Sequence, residues 1–251
     1  IMNILEMIAK AKEEKAKSLE LNGLDLRILP DDLFDLEFLE ELSLDENMLV
    51  ELPEEIGNLK KLKKLSLGYN DLMELPESIG NLENLETLYI GYNSLDVLPD
   101  SIGNLKKLKK LNIARNQLVS LPSTIADWQE MEKLSLHDNL LSVLPDALWK
   151  LSNLKKLYLD NNSIESISPA IKNMKSLEVL VLAGNQLKEV PAEIENLDSL
   201  RELLLDKNDI ETLPTSLKNC ANLQVISLTE NPISPEQVSD LSECLHVKID
   251  T

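Results

Sequence analysis

The sequence predicts an α/β fold in the form of a right-handed solenoid, with short parallel strands stacked side by side and a cap at each end. Three observations carry this. Asparagine recurs at Asn47, Asn70, Asn93, Asn116, Asn139, Asn162, Asn185, Asn208 and Asn231, always 23 residues apart, a period that belongs to stacked supersecondary units. Around each asparagine runs L-x-x-L-x-L-x-x-N-x-L, as in "LEELSLDENML" (39–49) and "LKKLYLDNNSI" (154–164). The 251 residues are 43% hydrophobic but only 3% aromatic, so the interior is to be filled with Leu, Ile and Val.

Residues 1–15, "IMNILEMIAKAKEEK", place Ile1, Ile4, Leu5 and Ile8 on one helical face, suited to cover the first repeat. About ten repeats follow over 16–233. In each, residues such as Leu42 and Leu44 alternate inward along a short strand while Ser43 points out. Leu39, Leu49, Leu52, Ile56 and Leu59 close the same interior, each contributing about 1.5–3 kcal/mol by burial. The ladder asparagine stands where the strand ends; its amide both donates and accepts, so it can satisfy backbone groups from one repeat to the next. The Leu-Pro step of "LPEEI", "LPESI", "LPDSI" and "LPSTI" sets an extended return on the convex side, where a missing N–H costs little. Strands about 4.8 Å apart on one side and bulkier returns on the other curve the stack into a horseshoe with a parallel concave sheet. The first repeat has Leu24 in the asparagine slot, as suits a terminal unit. Residues 234–251 form the C-terminal helix–strand cap: Ser234 as N-cap, Pro235 and Gln237 behind it, an apolar face of Val238, Leu241 and Leu245, then "HVKID" as an edge strand. Caps at both ends make 1–251 a single self-sufficient domain.

The repeated motif resembles the leucine-rich repeat family, in its 23-residue "LPxxIGxLxxLxxLxLxxNxL" class of intracellular Ras-group-related and bacterial proteins. The likeness covers about residues 16–233. It implies a non-enzymatic scaffold that binds a protein partner through the concave face, with a signalling enzyme such as a phosphatase or small GTPase as one expected kind. The "IGNLKKLKKL" style resembles bacterial members. The alternative implied by the family is a recognition part of a larger bacterial effector, Roco-type or ubiquitin-ligase protein; no residues after the cap form such a domain.

Three irregular repeats stand out. Trp128, Met174 and Cys220 fall in the core slot of Leu59, so Cys220 reads as a buried hydrophobe. The proline of "SISPA" has slipped to Pro169, altering that return. Trp149 occupies the slot of Gly57, Gly80 and Gly103, either packed on a neighbouring repeat or exposed as an anchor.

Outward positions form columns across the concave face. One reads Glu46, Tyr69, Tyr92, Arg115, Asp138, Asn161, Gly184, Lys207, Glu230; another contains Tyr89, Tyr158, Val181 and Leu204. All four tyrosines fall in these two columns. Tyr69, Tyr89 and Tyr92 beside Arg115 have the composition of a binding hot spot, with Gly68 and Gly91 leaving their flanks open; the bland alternative is that tyrosine suits a pleated strand. A third column carries Lys64, Lys110, Lys133 and Lys156, to receive acidic groups of a partner or to be balanced by Asp138 and Asp160. Val179, Val181, Leu204 and Val225 form an apolar outward patch, unless the C-terminal cap covers it. His137 faces the same side.

With 44 acidic against 25 basic residues and a net charge of −19, nucleic acid and anionic membrane are poor partners. No phosphate-cradling loop, nucleophile elbow or H-E-x-x-H is present, so no catalytic residue, cofactor or metal site is expected. Glu41, Asp45 and Glu46 read as a solvated acidic patch, and "NNS" at 161–163 as a sequon of consequence only in an exported eukaryotic chain. Adjacent His137 and Asp138 are expected to diverge unless the strand is ending. Two cysteines, Cys220 and Cys244, make no disulfide framework, no apolar run approaches the length of a transmembrane span, and no signal peptide is visible. The expected state is a monomer, cytoplasmic, or exported by a bacterium if an upstream segment before Ile1 was trimmed.

Overall fold

The computed structural model describes residues 3–245 and 248–250; Ile1, Met2, His246, Val247 and Thr251, and the side chains of Cys244, Leu245 and Lys248, fall outside that description. The chain forms two compact units, one running to Leu118 and including Asp127–Met131, the other formed by Val119–Ala126 and Glu132 onward.

The first unit opens with α1 (Ile4–Glu14). Asn3 caps it by a capping box, its side chain accepting from the Glu6 amide at 2.9 Å while Glu6 accepts from the Asn3 amide at 3.1 Å. The helix buries Ile8 and Ala11. Leu5, expected on the covered face, is instead 55% exposed; positions 4, 7, 8 and 11 form the stripe that an α-helical period selects once Ile8 is fixed inward. Strands β1 (Ser18–Glu20), β2 (Glu41–Ser43), β3 (Lys64–Ser66), β4 (Thr87–Tyr89) and β5 (Lys110–Asn112) follow. They pair in parallel with a uniform shift of 23 residues, so Leu19, Leu42, Leu65, Leu88 and Leu111 lie in one row. That row and the next inward positions, Leu44, Leu67, Ile90 and Ile113, are buried.

The second unit carries β6 (Lys133–Ser135), β7 (Lys156–Tyr158), β8 (Val179–Val181), β9 (Glu202–Leu204), β10 (Val225–Ser227) and β11 (Lys248–Asp250), parallel and in the same register. Helix α2 (Pro235–Leu245) starts where Ser234 Oγ accepts from the Gln237 amide at 3.2 Å. It packs on the turn Thr215–Asn219 and on β11.

The return after each Leu-Pro is tighter than the extended run expected from sequence. Pro53 is itself extended (φ −72°, ψ 157°), but its carbonyl accepts from the Ile56 amide at 3.1 Å, winding Glu54–Asn58 into a 3₁₀ turn. The same turn recurs at Glu77–Asn81, Asp100–Asn104 and Ala192–Asn196. At Pro169 the slipped proline sits inside the turn and Ser168 takes over the cap, accepting from the Ala170 amide at 3.2 Å.

Glycine is required where successive turns touch. A Cβ on Gly80 would lie 2.6 Å from the Ser101 carbonyl oxygen, and one on Gly57 2.9 Å from the Ser78 Cβ. Trp149, in the same slot, is buried and lines a small recess with Glu165, Ser166 and Ser168 of the following repeat; it is packed, not an exposed anchor. Trp128, Met174 and Cys220 are buried as well. Trp128 Nε1 donates to the Ile102 carbonyl at 2.9 Å and Cys220 Sγ to the Ile194 carbonyl at 3.4 Å.

Candidate functional site: the outward face of the strands

Each ladder asparagine binds backbone of its own and the preceding repeat. Asn70 Nδ2 donates to the Leu44 carbonyl (3.0 Å) and the Leu67 carbonyl (3.1 Å), while its Oδ1 accepts from the Leu49 amide (3.0 Å). Asn185 repeats this with Leu159, Leu182 and Ile164 in the second unit. Asn93, Asn162, Asn208 and Asn231 do likewise with Leu67, Leu136, Leu182 and Leu205, and Asn47 and Asn116 with Leu21 and Ile90. Asn139 donates to the Leu136 carbonyl of its own repeat. These bonds fix the backbone just before and after each outward residue, so the side chains project from a stiff frame.

The column of Tyr69 and Tyr92 is not part of a strand. β3 ends at Ser66 and β4 at Tyr89. Glu46, Tyr69, Tyr92, Arg115, Asp138, Asn161, Lys207 and Glu230 all have φ between 54° and 58°, and Gly184 has 66°. This is the left-handed region, where Gly or Asn is cheapest and a bulky L-residue costs about 1–2 kcal/mol. β-propensity therefore gives no reason for tyrosine at 69 and 92. Within the first unit their rings stack, centroids 4.1 Å apart and 15° between planes, and the Arg115 guanidinium stands 5.1 Å from the Tyr92 centroid. Tyr69 is 53% exposed and Tyr92 40%. The neighbouring Tyr92 hydroxyl, then burial, pushes the Tyr69 hydroxyl above its ordinary pKa, with Arg115 opposing.

Tyr89 is a strand residue, half-buried, opposite Ser66 and Asn112. With Glu20, Glu41, Asp45 and Lys64 it lines a concavity of about 210 Å³. Gly91, expected with Gly68 to leave the tyrosine flanks open, serves close approach instead: a Cβ on it would come 3.1 Å from the Ala114 carbonyl oxygen, whereas one on Gly68 would meet ordinary contacts at 3.4 Å. Asp45 is committed to the frame, accepting from Ser66 Oγ and the Gly68 amide, both at 2.7 Å. Asp206 holds Ser227 and the Thr229 amide in the same way. Sequence reading missed this carboxylate–serine bracing, although the period aligns Asp45 with Asp206 and Ser66 with Ser227.

In the second unit, Tyr158, Val181 and Leu204 are direct cross-strand neighbours, all half-buried. Val179 lies beside Lys156 and Glu202, and Glu202 beside Val225. α2 packs on the turn side and on β11, which leaves this strip as an outward surface. Lys133 places its Nζ 5.4 Å from the Tyr158 centroid and pairs with Lys156 across the strands. Among the described residues, Lys64, Lys110, Lys133 and Lys156 make no ion pair. Ion pairs line the neighbouring column instead, whose sequence alternates sign: Lys17–Glu40 at 2.8 Å, Lys63–Glu40 at 2.6 Å, Lys109–Glu86 at 3.0 Å and Lys155–Glu132 at 3.3 Å. Hydrogen bonds from Lys17 and Lys63 hold Glu40 down from 4.5 to about 2.

His137 and Asp138 converge: β6 ends at Ser135 and the left-handed φ of 54° at Asp138 brings its Oδ2 2.8 Å from His137 Nδ1. Burial pushes the neighbouring Asp160 carboxyl up, His137 opposing and Asp138 adding to it. Burial raises the Cys220 thiol to about 11, with Glu195 and Asp198 acting the same way, so it is no nucleophile at neutral pH. Among the described residues no group of three His, Cys, Asp or Glu side chains is placed to hold a metal, and no helix is long and apolar enough to cross a membrane.

A further surface escaped the sequence reading. Ile28 (81% exposed), Met48, Val50, Met73 (62%) and Val97 lie in the first unit between the asparagine slot and the 3₁₀ turn. The second unit exposes Val119, Leu140 and Val143 in the same slots, and the repeats after them carry Ser, Gln, Lys, Glu or Asp at most of these positions, a pattern that was legible.

Stacked 23-residue units that fix their backbone by asparagine and spend their outward positions freely define a repeat scaffold. The chain belongs to the leucine-rich repeat family. Family models match residues 54–157 (leucine-rich repeat region), 152–210 (leucine rich repeat) and 38–59 (leucine rich repeat). A leucine-rich repeat protein of Leptospira interrogans is 32% identical with a TM-score of 0.85, covering 100% of this chain and 71% of its own. The plant peptide hormone receptor RGFR1, solved in complex with RGF2, is 30% identical with a TM-score of 0.82, covering 97% of this chain and 41% of that one. An internalin of Listeria monocytogenes, 19% identical with a TM-score of 0.59 over 96% of this chain and 81% of its own, shares the fold. No curated protein matches the chain. Family and fold support a protein-interaction module.

Proposed function

We propose that the chain is a non-enzymatic recognition domain that captures a protein or peptide partner through the open face of its strands, with Tyr69, Tyr89, Tyr92 and Arg115 as first anchors. Tyr158 with Lys110, Lys133 and Lys156 is the second group, and Val181 with Leu204 and its apolar neighbours the third; His137 stands beside them. The observation that carries the reading is the stacked, exposed tyrosine pair held at positive φ, a conformation that supplies no folding reason for an aromatic. A frame whose backbone is already fixed loses little entropy on binding, so a few anchors can dominate. The similar plant peptide hormone receptor, solved in complex with RGF2, favours a peptide as partner. The resemblance to Ras-group-related repeat proteins points, one step further, to a scaffold for a signalling enzyme, monomeric and cytoplasmic or exported by a bacterium.

The exposed aliphatic flank of Ile28, Val50 and Met73 favours a second reading, capture on that side. Affinity capture with the triple variant Tyr69→Ser, Tyr89→Ser, Tyr92→Ser tests the first: partner recovery is expected to fall at least about tenfold, the scale of one or more lost hot spots, with Tm nearly unchanged. Full recovery by the variant would refute it.

A further inference from the structure

We propose that the tyrosine stack receives an arginine side chain from a basic segment of the partner, held between the outer face of Tyr69 and the Glu46 carboxylate. This rests on the reading of the open face as the capture surface and names the chemistry captured there. Within the first unit the left-handed slots run carboxylate, ring, ring, guanidinium: Glu46, Tyr69, Tyr92, Arg115. Tyr92 is covered on both faces, by the Tyr69 ring at 4.1 Å and by the Arg115 guanidinium at 5.1 Å. Tyr69 has a ring on one face only and is 53% exposed.

The uncovered face points to the preceding repeat, where the same column holds Glu46. Glu46 is exposed and makes no ion pair among the described residues. One end of the stack is therefore closed by the chain's own cation, and the other is an aromatic face beside an unpaired carboxylate. A π-face attracts cations, and Glu20, Glu41 and Asp45 add negative charge nearby against one base, Lys64. The charge of the site fits a basic occupant. Guanidinium suits it better than ammonium, because it is flat enough to stack and its fork matches a carboxylate. Arg115 on Tyr92 shows the same packing inside the chain.

The test uses the full chain and a capped pentapeptide with one central arginine, followed by the ring-current displacement of the arginine methylene protons in an NMR titration. Displacement is expected with the wild type and with Tyr69→Phe, which keeps the ring. Affinity should drop about threefold to tenfold in Tyr69→Leu and in Glu46→Gln, the scale of an exposed cation–π contact or ion pair, and stay unchanged in Glu189→Gln, an exposed carboxylate away from the stack. A lysine peptide should bind more weakly and a citrulline peptide should show no displacement. Equal binding of the citrulline peptide, displacement that survives Tyr69→Leu, or none with millimolar arginine peptide would each overturn the proposal. If the triple tyrosine variant loses its partner while the wild type ignores arginine, the capture reading stands and this one falls. If the variant keeps its partner while wild type binds arginine as described, the reverse holds.

Discussion

Tyr69 and Tyr158 sit on the same 23-residue frame yet face different surroundings. In the first unit the outward chemistry is polar and aromatic: a stacked ring pair, a guanidinium, and carboxylates at Glu20, Glu41 and Glu46. In the second it is an aliphatic strip, Tyr158–Val181–Leu204, edged by Lys133 and Lys156. Both rest on the same asparagine bonds. The frame is thus indifferent to what it displays, and differences in binding must come from outward positions alone.

That comparison breaks most visibly at the frame. Asn70→Ala and Asn185→Ala each leave one buried amide, Leu49 or Ile164, without its partner, while the carbonyls keep the neighbouring asparagine as donor. Each variant is expected to lose about 1–3 kcal/mol, the cost of one buried unsatisfied group, alike in the two units, in denaturant melts. A large loss at one and none at the other would show that the frames differ. Next comes the turn slot. Gly80→Ala drives a Cβ to 2.6 Å from a backbone oxygen and is expected to cost about 1–3 kcal/mol, as overpacking does. An unchanged midpoint would mean that the turns of the first unit yield as those around Trp149 do.

Smallest is the charged ladder. Glu40 titrates at about 2 in the fold against 4.5, a depressed acid, so its contribution is complete above pH 4.5 and is lost as pH falls toward 2. The Tm difference between wild type and Glu40→Gln should shrink over that window, and shrink at any pH with added salt.

The period made the repeat core, both caps, the buried Trp128, Met174 and Cys220, and the columns themselves legible, because each depends on spacing and polarity. What it hid was backbone conformation. The slot of Tyr69 reads as one more strand position, yet the chain turns left-handed there in every repeat, even with Lys, Glu or Tyr in place. Ladder bonds to the next asparagine impose that φ, overriding the residue's own preference. Leu5 was misplaced because a three-turn helix fits more than one stripe. The Asp45–Ser66 and Asp206–Ser227 braces were visible as aligned columns but carry meaning only once the side chains are seen to meet.

Hydroxyl-radical footprinting of the chain with its captured partner separates the open face from the aliphatic flank, since tyrosine and methionine both react readily and Tyr69, Tyr92, Met48 and Met73 are all exposed. Protection of Tyr69 and Tyr92 with Met48 and Met73 still labelled is the expected result. Protection of Met48 and Met73 with the two tyrosines labelled as in the free chain would contradict the account.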